Sequence, residues 1–360
     1  MKSIILVLHA FRDLFIRWLP NFHKKEYAFA FLVHPRNILD VYRKYPFAKY
    51  LPENLLFFVL RRFWPVILAE TEGLKDKAGN PVRGWIITLP LTAEQMLEDR
   101  ILAGKKILDG VKLAEKMGSA IIGLGAFTSS LTDGGNSIMS SAKISVTNGN
   151  ALTAGVTVSA IEKIIKDLRK KNPRKRINLA IVGATGSIGS AVAQILALKM
   201  KSGSLVLIGR TPENIEKLKN EIKEIGSAAK ITIGVELKDI VKCDIVVVST
   251  SAKGAVIQPE HLKKNAIVYD ISQPKNTSEK IKNERPDVKF IDGGLVKTPE
   301  INYHFNFGIP KETAFACLAE TMILAAERID GHFSLGKVGP EKIKKITALA
   351  AKYNFYPYDF

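Results

Sequence analysis

The sequence feature that most constrains the fold is a glycine-rich turn between an apolar run and an amphipathic run. The apolar run covers residues 177–182. It is followed by Gly183, Gly186 and Gly189, and the amphipathic run extends from Ala191 to about residue 200. In a strand–loop–helix unit, the first glycine permits a tight turn, the second lets the backbone approach a pyrophosphate, and the third lets helix and strand pack closely. The pattern predicts a dinucleotide-binding unit rather than an ordinary turn.

The next apolar run indicates which dinucleotide is bound. Residues 205–208 are followed by Gly209, Arg210 and Thr211. An acidic residue at this strand end would bind the ribose 2′-hydroxyl of NAD, whereas the Arg210 guanidinium suits a 2′-phosphate. We therefore predict NADPH. A further strand, residues 244–250, is expected to end along the cofactor. The predicted cofactor-binding residues are Gly183, Thr185, Gly186, Ser187, Ile188, Gly189, Arg210, Thr211, Thr250 and Ser251.

Length and composition set the number of domains and the compartment. A chain of 360 residues with 46% hydrophobic residues can bury a large core and is expected to form two domains. Its two cysteines, Cys243 and Cys317, have no spacing typical of metal ligands or of a disulfide framework, and its six histidines form no zinc-type pair. We predict no metal site and a cytoplasmic protein.

The net charge of +18 favours acidic partners: an acidic carrier protein, an anionic membrane or nucleic acid. Nucleic acid is the least supported of the three, because no recognition motif accompanies the charge. Apolar residues within positions 1–20 recur at helical spacing, so this segment is expected to pack on the core or to lie on a membrane surface. The aromatic and arginine-rich residues 45–64 likewise fit either a small core or a membrane-facing patch, and peripheral membrane association stays open.

The remaining pattern predicts an α/β protein. Predicted strands and helices of the first half are a strand at 26–34, a hairpin at 66–72 and 81–89, a helix from Thr92 to Gly118, a strand at 120–124 and a helix at 154–170. Two polar loops, 125–130 and 147–153, follow predicted buried strands, where α/β proteins place ligand contacts. We expect an N-terminal α/β substrate domain (1–170), a Rossmann NADP-binding domain (171–300) and a C-terminal helical segment (301–360) that completes the substrate domain and packs between the domains.

Cys317 lies in a segment predicted to be helical from Lys311 to Arg328. At helical spacing Thr313, Glu320 and Thr321 share its face. The segment alone predicts a buried, inert cysteine.

Several of these segments together resemble the long-chain acyl-[acyl-carrier-protein] reductases, which form fatty aldehydes. The resemblance rests on residues 125–130 (GAFTSS), 147–150 (TNGN), 183–192 (GATGSIGSAV), 274–276 (PKN), 315–320 (FACLAE) and 332–336 (HFSLG), in this order. It implies an NADPH-dependent reductase in which Cys317 is the nucleophile. The oxyanion of such a reaction needs hydrogen-bond donors, and we expect the hydroxyls and N–H groups of Thr128, Ser129 and Ser130 to supply them. Cys243, at the start of a predicted buried strand, is expected to be structural.

The resemblance thus implies reduction of a long-chain acyl thioester, carried by acyl carrier protein or coenzyme A, to a fatty aldehyde through a Cys317 acyl-enzyme. Two alternatives stay open. One is an NADP-dependent dehydrogenase of the shikimate or amino-acid type, acting on a small polar substrate. The other is a non-catalytic NADP-binding protein at a membrane surface. The sequence leaves acyl-chain length, proton donor and oligomeric state open.

Overall fold

A computed structural model describes residues 11–13, 15, 27–200, 202–252, 256–277 and 279–359. The predicted α/β class is confirmed, and the chain forms two compact units. The first unit combines Met1–Gly149, Lys297–Gly336 and Ala348–Tyr356, and the second combines Asn150–Val296, Lys337–Thr347 and Pro357–Phe360. The division of the chain at residues 170 and 300 stays a prediction. Most of the predicted N-terminal helix lies outside the described residues.

The secondary-structure elements follow in chain order. They are β1 (Ala28–Val33), α1 (Ile38–Lys44), α2 (Glu53–Arg62), β2 (Val66–Thr71), β3 (Arg83–Thr88), α3 (Ala93–Glu98), α4 (Arg100–Lys116), β4 (Ser119–Leu124), α5 (Phe127–Ser130), β5 (Ser145–Thr147), α6 (Asn150–Lys171), β6 (Ile177–Val182), α7 (Ser187–Lys199), β7 (Gly203–Ile208), α8 (Pro212–Glu224), β8 (Lys230–Gly234), β9 (Ile245–Val248), β10 (Ile267–Asp270), α9 (Glu279–Glu284), β11 (Lys289–Asp292), β12 (Leu295–Lys297), β13 (Thr313–Phe315), α10 (Ala316–Glu327), α11 (Pro340–Lys352) and β14 (Tyr356–Pro357). A 3-10 turn, Pro46–Tyr50, joins α1 to α2.

The first unit is built on a five-stranded sheet in the order β2-β3-β1-β4-β5. Strands β3, β1, β4 and β5 run parallel, and β2 joins β3 as the predicted antiparallel hairpin. Helix α4 covers one face, where Leu32, Ile107 and Ile122 are fully buried. Helix α10 packs on β4 and β1. Because both faces are covered, the parallel strands are apolar along most of their length.

The single helix predicted from Thr92 to Gly118 is instead two helices, α3 and α4, that meet at Asp99. The predicted capping box is present, since Thr92 and Gln95 exchange side-chain and backbone hydrogen bonds. The Asp99 carboxylate accepts from the backbone N–H of Leu102 at 2.9 Å and so starts the second helix. A capping side chain competes with continuation of the helix, so the break follows from the chemistry of Asp99.

The second unit is built on six parallel strands in the order β11-β10-β9-β6-β7-β8. This is the doubly wound Rossmann arrangement, in which the strand order reverses between the first and fourth strands. The reversal lies between β6 and β9. Helix α6 packs against α7 beside the sheet. The carboxyl ends of β6 and β9 therefore form the crevice in which such folds bind nucleotides.

Asp270, the last residue of β10, organises the segment that follows this strand. Its buried carboxylate accepts from the N–H groups of Ser272 at 2.9 Å, Asn276 at 2.9 Å and Thr277 at 3.1 Å, and from the Thr277 hydroxyl at 2.9 Å. Four donors converge on one buried carboxylate, so the path of residues 271–277 depends on it.

We expect Asp270→Ala to destabilise the protein by about 3 kcal/mol, because buried donors lose their acceptor. The matched control is Asp292→Ala, since Asp292 is the register partner of Asp270 on β11 and its side chain is 62% exposed. This control should change stability by less than about 0.5 kcal/mol. Urea unfolding followed by circular dichroism measures both, and equal midpoint shifts would contradict the assignment.

Candidate functional site

The glycine loop follows β6 and packs tightly against its neighbours. Gly183 has a φ of +83°, and a Cβ at this position would overlap the carbonyl oxygen of Ser249, directly after β9. A Cβ at Gly189 would overlap the carbonyl oxygen of Gly183. The first and third glycines therefore meet the close contacts that the sequence pattern predicts, and the loop is held against the end of β9.

The other predicted cofactor-binding residues surround this loop. A Cβ at Gly209 would lie 3.4 Å from Thr185 Cγ2, so the backbone just before Arg210 is close to the glycine loop. The Arg210 side chain is exposed. Thr211 precedes α8 as its N-cap residue. The backbone of Thr250 donates to Ser272 Oγ at 3.4 Å, and Ser251 beyond it is exposed.

The residues present fit a dinucleotide. Gly186 caps α7 without a side chain, and Ser187 and Ile188 lie partly exposed in the first helical turn, where backbone N–H groups and the helix dipole suit a phosphate. Two amide oxygens, Gln273 Oε1 and Asn276 Oδ1, are buried without a hydrogen-bond partner in the described structure. Asn276 Nδ2 donates to Thr250 O at 3.0 Å, so this orphan acceptor lies beside the strand end. A carboxamide N–H group is the kind of donor that it lacks.

Cys317 is the second residue of α10, in the first unit. The helix predicted from Lys311 begins only at Ala316, because Thr313–Phe315 forms β13. Thr313 therefore does not share a helical face with Cys317, and its hydroxyl donates to Pro310 O at 2.6 Å. The prediction is correct for Thr321, whose hydroxyl donates to Cys317 O at 3.1 Å.

The segment after β5 contacts Cys317 directly. Gly149 has a φ of +72°, and a Cβ there would overlap both Cα and Cβ of Cys317. The polar loop predicted at 147–153 is shorter than expected, because α6 begins at Asn150 rather than Ala154. Only a glycine permits this approach, so the Thr-Asn-Gly sequence holds the cysteine by backbone contact.

A buried hydrogen bond lies next to the cysteine. Thr147 Oγ1 donates to Glu320 Oε1 at 2.5 Å, and both residues are fully buried. Thr147 Oγ1 also accepts from the backbone N–H of Ser334 at 3.3 Å. These bonds join β5, α10 and the His332–Gly336 segment, and they hold the Glu320 carboxylate on the face of Cys317.

The environment of Cys317 disfavours its thiolate. The pKa of this partly exposed thiol is raised to about 12, mainly by desolvation and also by the Glu320 charge, against the N–H groups of Leu318 and Cys317, which lower it in part. The thiol is therefore protonated at neutral pH, and its use as a nucleophile requires a proton acceptor. Cys243, buried just before β9, also has its pKa raised to about 12, first by burial and then by the charge of Asp244.

The three predicted oxyanion donors, Thr128, Ser129 and Ser130, lie in α5, where the Thr128 hydroxyl donates to Gly125 O at 2.8 Å. The N–H groups of Thr128, Ser129 and Ser130 already donate to Gly125 O and Ala126 O, so these amides are not available. Within the described residues, the hydroxyls of Ser129 and Ser130 form no hydrogen bond to Cys317. Their loop follows β4, which pairs in parallel with β5 through Gly123 and Thr147, so both polar loops leave the same sheet edge.

The sequence alone does not single out His34, because a lone histidine after a strand belongs to no recognisable motif. Its Nε2 accepts from the N–H of Phe127 at 3.3 Å, and its ring stacks on Phe127 with centroids 5.5 Å apart. Burial lowers the pKa of His34 to about 4, so the ring is neutral and Nδ1 can donate to Pro35 O at 2.9 Å. His34 therefore holds the start of α5, where Ala126 has a φ of +50°.

Comparisons with known proteins give one family model that matches part of the chain and relatives that match most of it. The family model of the shikimate / quinate 5-dehydrogenases matches residues 163–292, which lie in the second unit. The chain is 29% identical to aminotransferase PigE of a Serratia species over 79% of its own length, but it spans only 33% of that protein. It is 28% identical to the long-chain acyl-[acyl-carrier-protein] reductase of Synechococcus elongatus, covering 88% of this chain and 94% of that protein.

Among solved structures, the NAD-dependent malic enzyme of Thermotoga maritima has a TM-score of 0.41 and 11% identity, covering 97% of this chain and 82% of that one. The nucleotide-binding domain of glutamyl-tRNA reductase from Thermoplasma volcanium has a TM-score of 0.26 and 16% identity, covering 36% of this chain and 83% of that one.

The fold, the glycine loop and the family match together indicate an NAD(P)-dependent oxidoreductase, and the predicted nicotinamide dinucleotide cofactor is confirmed. Across the described ranges, no cluster of three metal-ligating side chains is present.

We expect Gly189→Ala to destabilise the protein by roughly 1–3 kcal/mol and to abolish NADPH binding, because backbone atoms must move to admit the Cβ. Gly186→Ala should weaken NADPH binding while folding normally, since its nearest neighbour, Gly183 O, lies 3.3 Å from the new Cβ. Gly104→Ala, in the open middle of α4, should leave binding unchanged and stabilise by about 0.5–1 kcal/mol. Thermal melting and fluorescence titration with NADPH separate the three results, and a stable Gly189→Ala that binds NADPH would contradict the packing argument.

Proposed function

We propose that this protein reduces a long-chain acyl thioester to an aldehyde with NADPH, through an acyl-enzyme on Cys317. The observation that carries the proposal is the position of Cys317 in the first turn of α10, packed on Gly149 and facing the buried Glu320. A thiol that was only part of the core would not need a buried carboxylate on its face. The relative from Synechococcus, matched over nearly its whole length, supports the substrate class.

The first step is thioester exchange. As the Cys317 sulfur attacks the acyl carbonyl, the thiol proton passes to the Glu320 carboxylate. The tetrahedral oxyanion collapses, the bond to the carrier sulfur breaks, and Glu320 returns the proton to the departing thiolate. The exchange replaces one thioester by another, so little free energy is lost and the acyl group stays on Cys317. The hydroxyls of Ser129 and Ser130 are the proposed donors to the oxyanion.

The second step is reduction of the acyl-enzyme. NADPH held by the glycine loop would supply a hydride to the thioester carbonyl. The resulting oxyanion on Cys317 collapses with cleavage of the carbon–sulfur bond, and the aldehyde leaves. The Cys317 thiolate then takes up one proton from solvent through Glu320, which restores the starting enzyme. The high pKa of the thiol favours this final protonation, because the thiolate is the less stable form in this site.

The residues proposed to hold NADPH are those of the glycine loop and the two neighbouring strand ends. Ser187 and Ile188 present the first turn of α7 to the phosphates, and Arg210 is exposed where a 2′-phosphate would lie. Among the described residues, Arg210 forms no ion pair, so its charge is free for this contact. The net charge of +18 supports an acidic carrier protein as the source of the acyl group, with acyl-coenzyme A as the alternative carrier.

The shikimate-type dehydrogenase alternative rests on the family match, which covers residues 163–292 and so concerns only the dinucleotide-binding unit. That match bears on the cofactor and not on the substrate. A dehydrogenase of this type, and likewise a non-catalytic NADP-binding protein, has no need of a cysteine beside a buried carboxylate. The modification of Cys317 by substrate is therefore the property that separates the alternatives.

We expect an acyl mass on the intact protein after mixing with a long-chain acyl thioester in the absence of NADPH. The adduct should be absent in Cys317→Ala, present in the matched control Cys243→Ala, and lost when NADPH is added, with release of aldehyde. Intact-protein mass spectrometry measures each state. Absence of an adduct with both acyl-carrier-protein and coenzyme A thioesters would refute the covalent mechanism and favour a dehydrogenase acting on small polar substrates.

We expect Glu320→Gln to have opposite effects on two reactions of Cys317. Removal of the negative charge lowers the pKa of the thiol, so alkylation by iodoacetamide at pH 9 becomes faster. Acylation by substrate becomes slower by about a hundredfold, because the proton acceptor is lost. Peptide mass spectrometry follows Cys317 separately from Cys243.

The matched control is Glu327→Gln, near the other end of α10, where Glu327 pairs with Lys352 at 2.6 Å. It should leave both rates unchanged. If Glu320→Gln slowed alkylation and acylation together, Glu320 would have a structural role and the proton acceptor would have to be sought elsewhere.

A further inference from the structure

Helix α2 has apolar residues on two sides. On one side Leu56 and Leu60 are buried with Val41 and Ala48 in a small core. This part of the 45–64 region thus fits the interpretation as a core. The other side is exposed: Leu55 is 47% exposed, Phe58 52% and Val59 39%, and just before the helix Tyr50 is 89% and Leu51 38% exposed. We call these five residues the α2 stripe.

The spacing of the α2 stripe places its residues on one surface. Within α2, positions 55, 58 and 59 recur at intervals of three and four residues, so their side chains lie along one face of the helix, and Tyr50 and Leu51 precede its first turn. Exposed apolar residues are normal when scattered, but a contiguous row indicates a binding surface. The row lies on the outside of a helix, so it is convex and suits a deformable apolar medium better than it suits a second convex helix.

Cations border the stripe at both ends. Lys49 is exposed before it, and the Arg62 guanidinium lies 3.6 Å from the Phe58 ring centroid after it. The segment from Arg36 to Arg62 contains six lysines and arginines against two acidic residues, Asp40 and Glu53. Two copies of this chain meeting through the stripe would bring like charges together. The combination therefore disfavours self-association and favours an anionic surface.

We propose that the α2 stripe binds the surface of an anionic phospholipid bilayer. The apolar side chains enter the boundary between headgroups and acyl chains, and Lys49 and Arg62 contact the headgroup phosphates. Aromatic side chains with a polar end, such as Tyr50, are favoured at this depth. The contact is peripheral. No helix in the described part of the chain has the length and apolar character needed to cross a membrane.

The test is vesicle co-sedimentation of the full chain, which is independent of catalysis. We expect binding to vesicles of phosphatidylcholine with 30 mol% phosphatidylglycerol, and weak binding to phosphatidylcholine alone. Leu55→Ser combined with Phe58→Ser should weaken binding about tenfold, because two apolar side chains no longer enter the bilayer. The matched control is Ile101→Ser, since Ile101 is an 88% exposed apolar residue on α4. Circular dichroism and thermal melting confirm that each variant is folded.

Other results would overturn the proposal. Equal vesicle binding by the double variant and by the wild-type protein would assign any membrane contact to another part of the chain. A concentration-dependent dimer that the double variant abolishes, without vesicle binding, would make the stripe an interface between copies. Loss of binding to an acidic carrier protein in the double variant, with vesicle binding unchanged, would make it a protein-docking surface. Because none of these measurements uses turnover, failure here is separate from failure of the Cys317 mechanism.

Discussion

Both units depend on the way parallel strands gather their following loops at one sheet edge. In the first unit β4 and β5 pair in register at Gly123 and Thr147, so the loops that begin after them leave the sheet side by side. In the second unit β6 and β9 pair through Val182 and Val248, and the glycine loop packs on Ser249, the residue after β9. Glycines at 149 and 183 then allow backbone contact that any side chain would prevent. The candidate cysteine and the candidate phosphate loop are positioned by the same kind of contact.

The electrostatics of Cys317 define what chemistry the first unit can perform. Helix N–H groups favour the thiolate, but burial and the Glu320 charge oppose it more strongly, and the pKa is raised to about 12. A free thiolate is therefore not the resting form, in contrast with cysteines activated by a neighbouring cation. In the proposed acylation, the Glu320 carboxylate, held by Thr147, accepts the proton as the thiol attacks. This arrangement limits reaction with other electrophiles and makes the proton transfer part of the proposed acylation.

The two proposals have a common chemical theme. A long-chain thioester and its aldehyde product are both apolar, and a bilayer surface is where such an aldehyde would partition. The α2 stripe offers apolar and aromatic contacts, and the chain as a whole carries a net charge of +18. The same positive charge would attract an acidic carrier protein. Neither proposal depends on the other, because membrane contact involves α2 and the chemistry involves α10.

The sequence by itself determined the dinucleotide unit, because a phosphate loop needs glycines at fixed spacing and the following strand end needs a cation to accept a 2′-phosphate. It also singled out Cys317 as the candidate nucleophile, through the resemblance carried by residues 315–320. Local pattern misplaced the helix starts near 99, 150 and 316, since a capping Asp99, a glycine contact and a short strand decided them. Only the tertiary structure paired Thr147 with Glu320, put His34 behind α5 and exposed one side of α2. These are contacts between residues far apart in the chain, for which burial and hydrogen bonding, rather than spacing, are decisive.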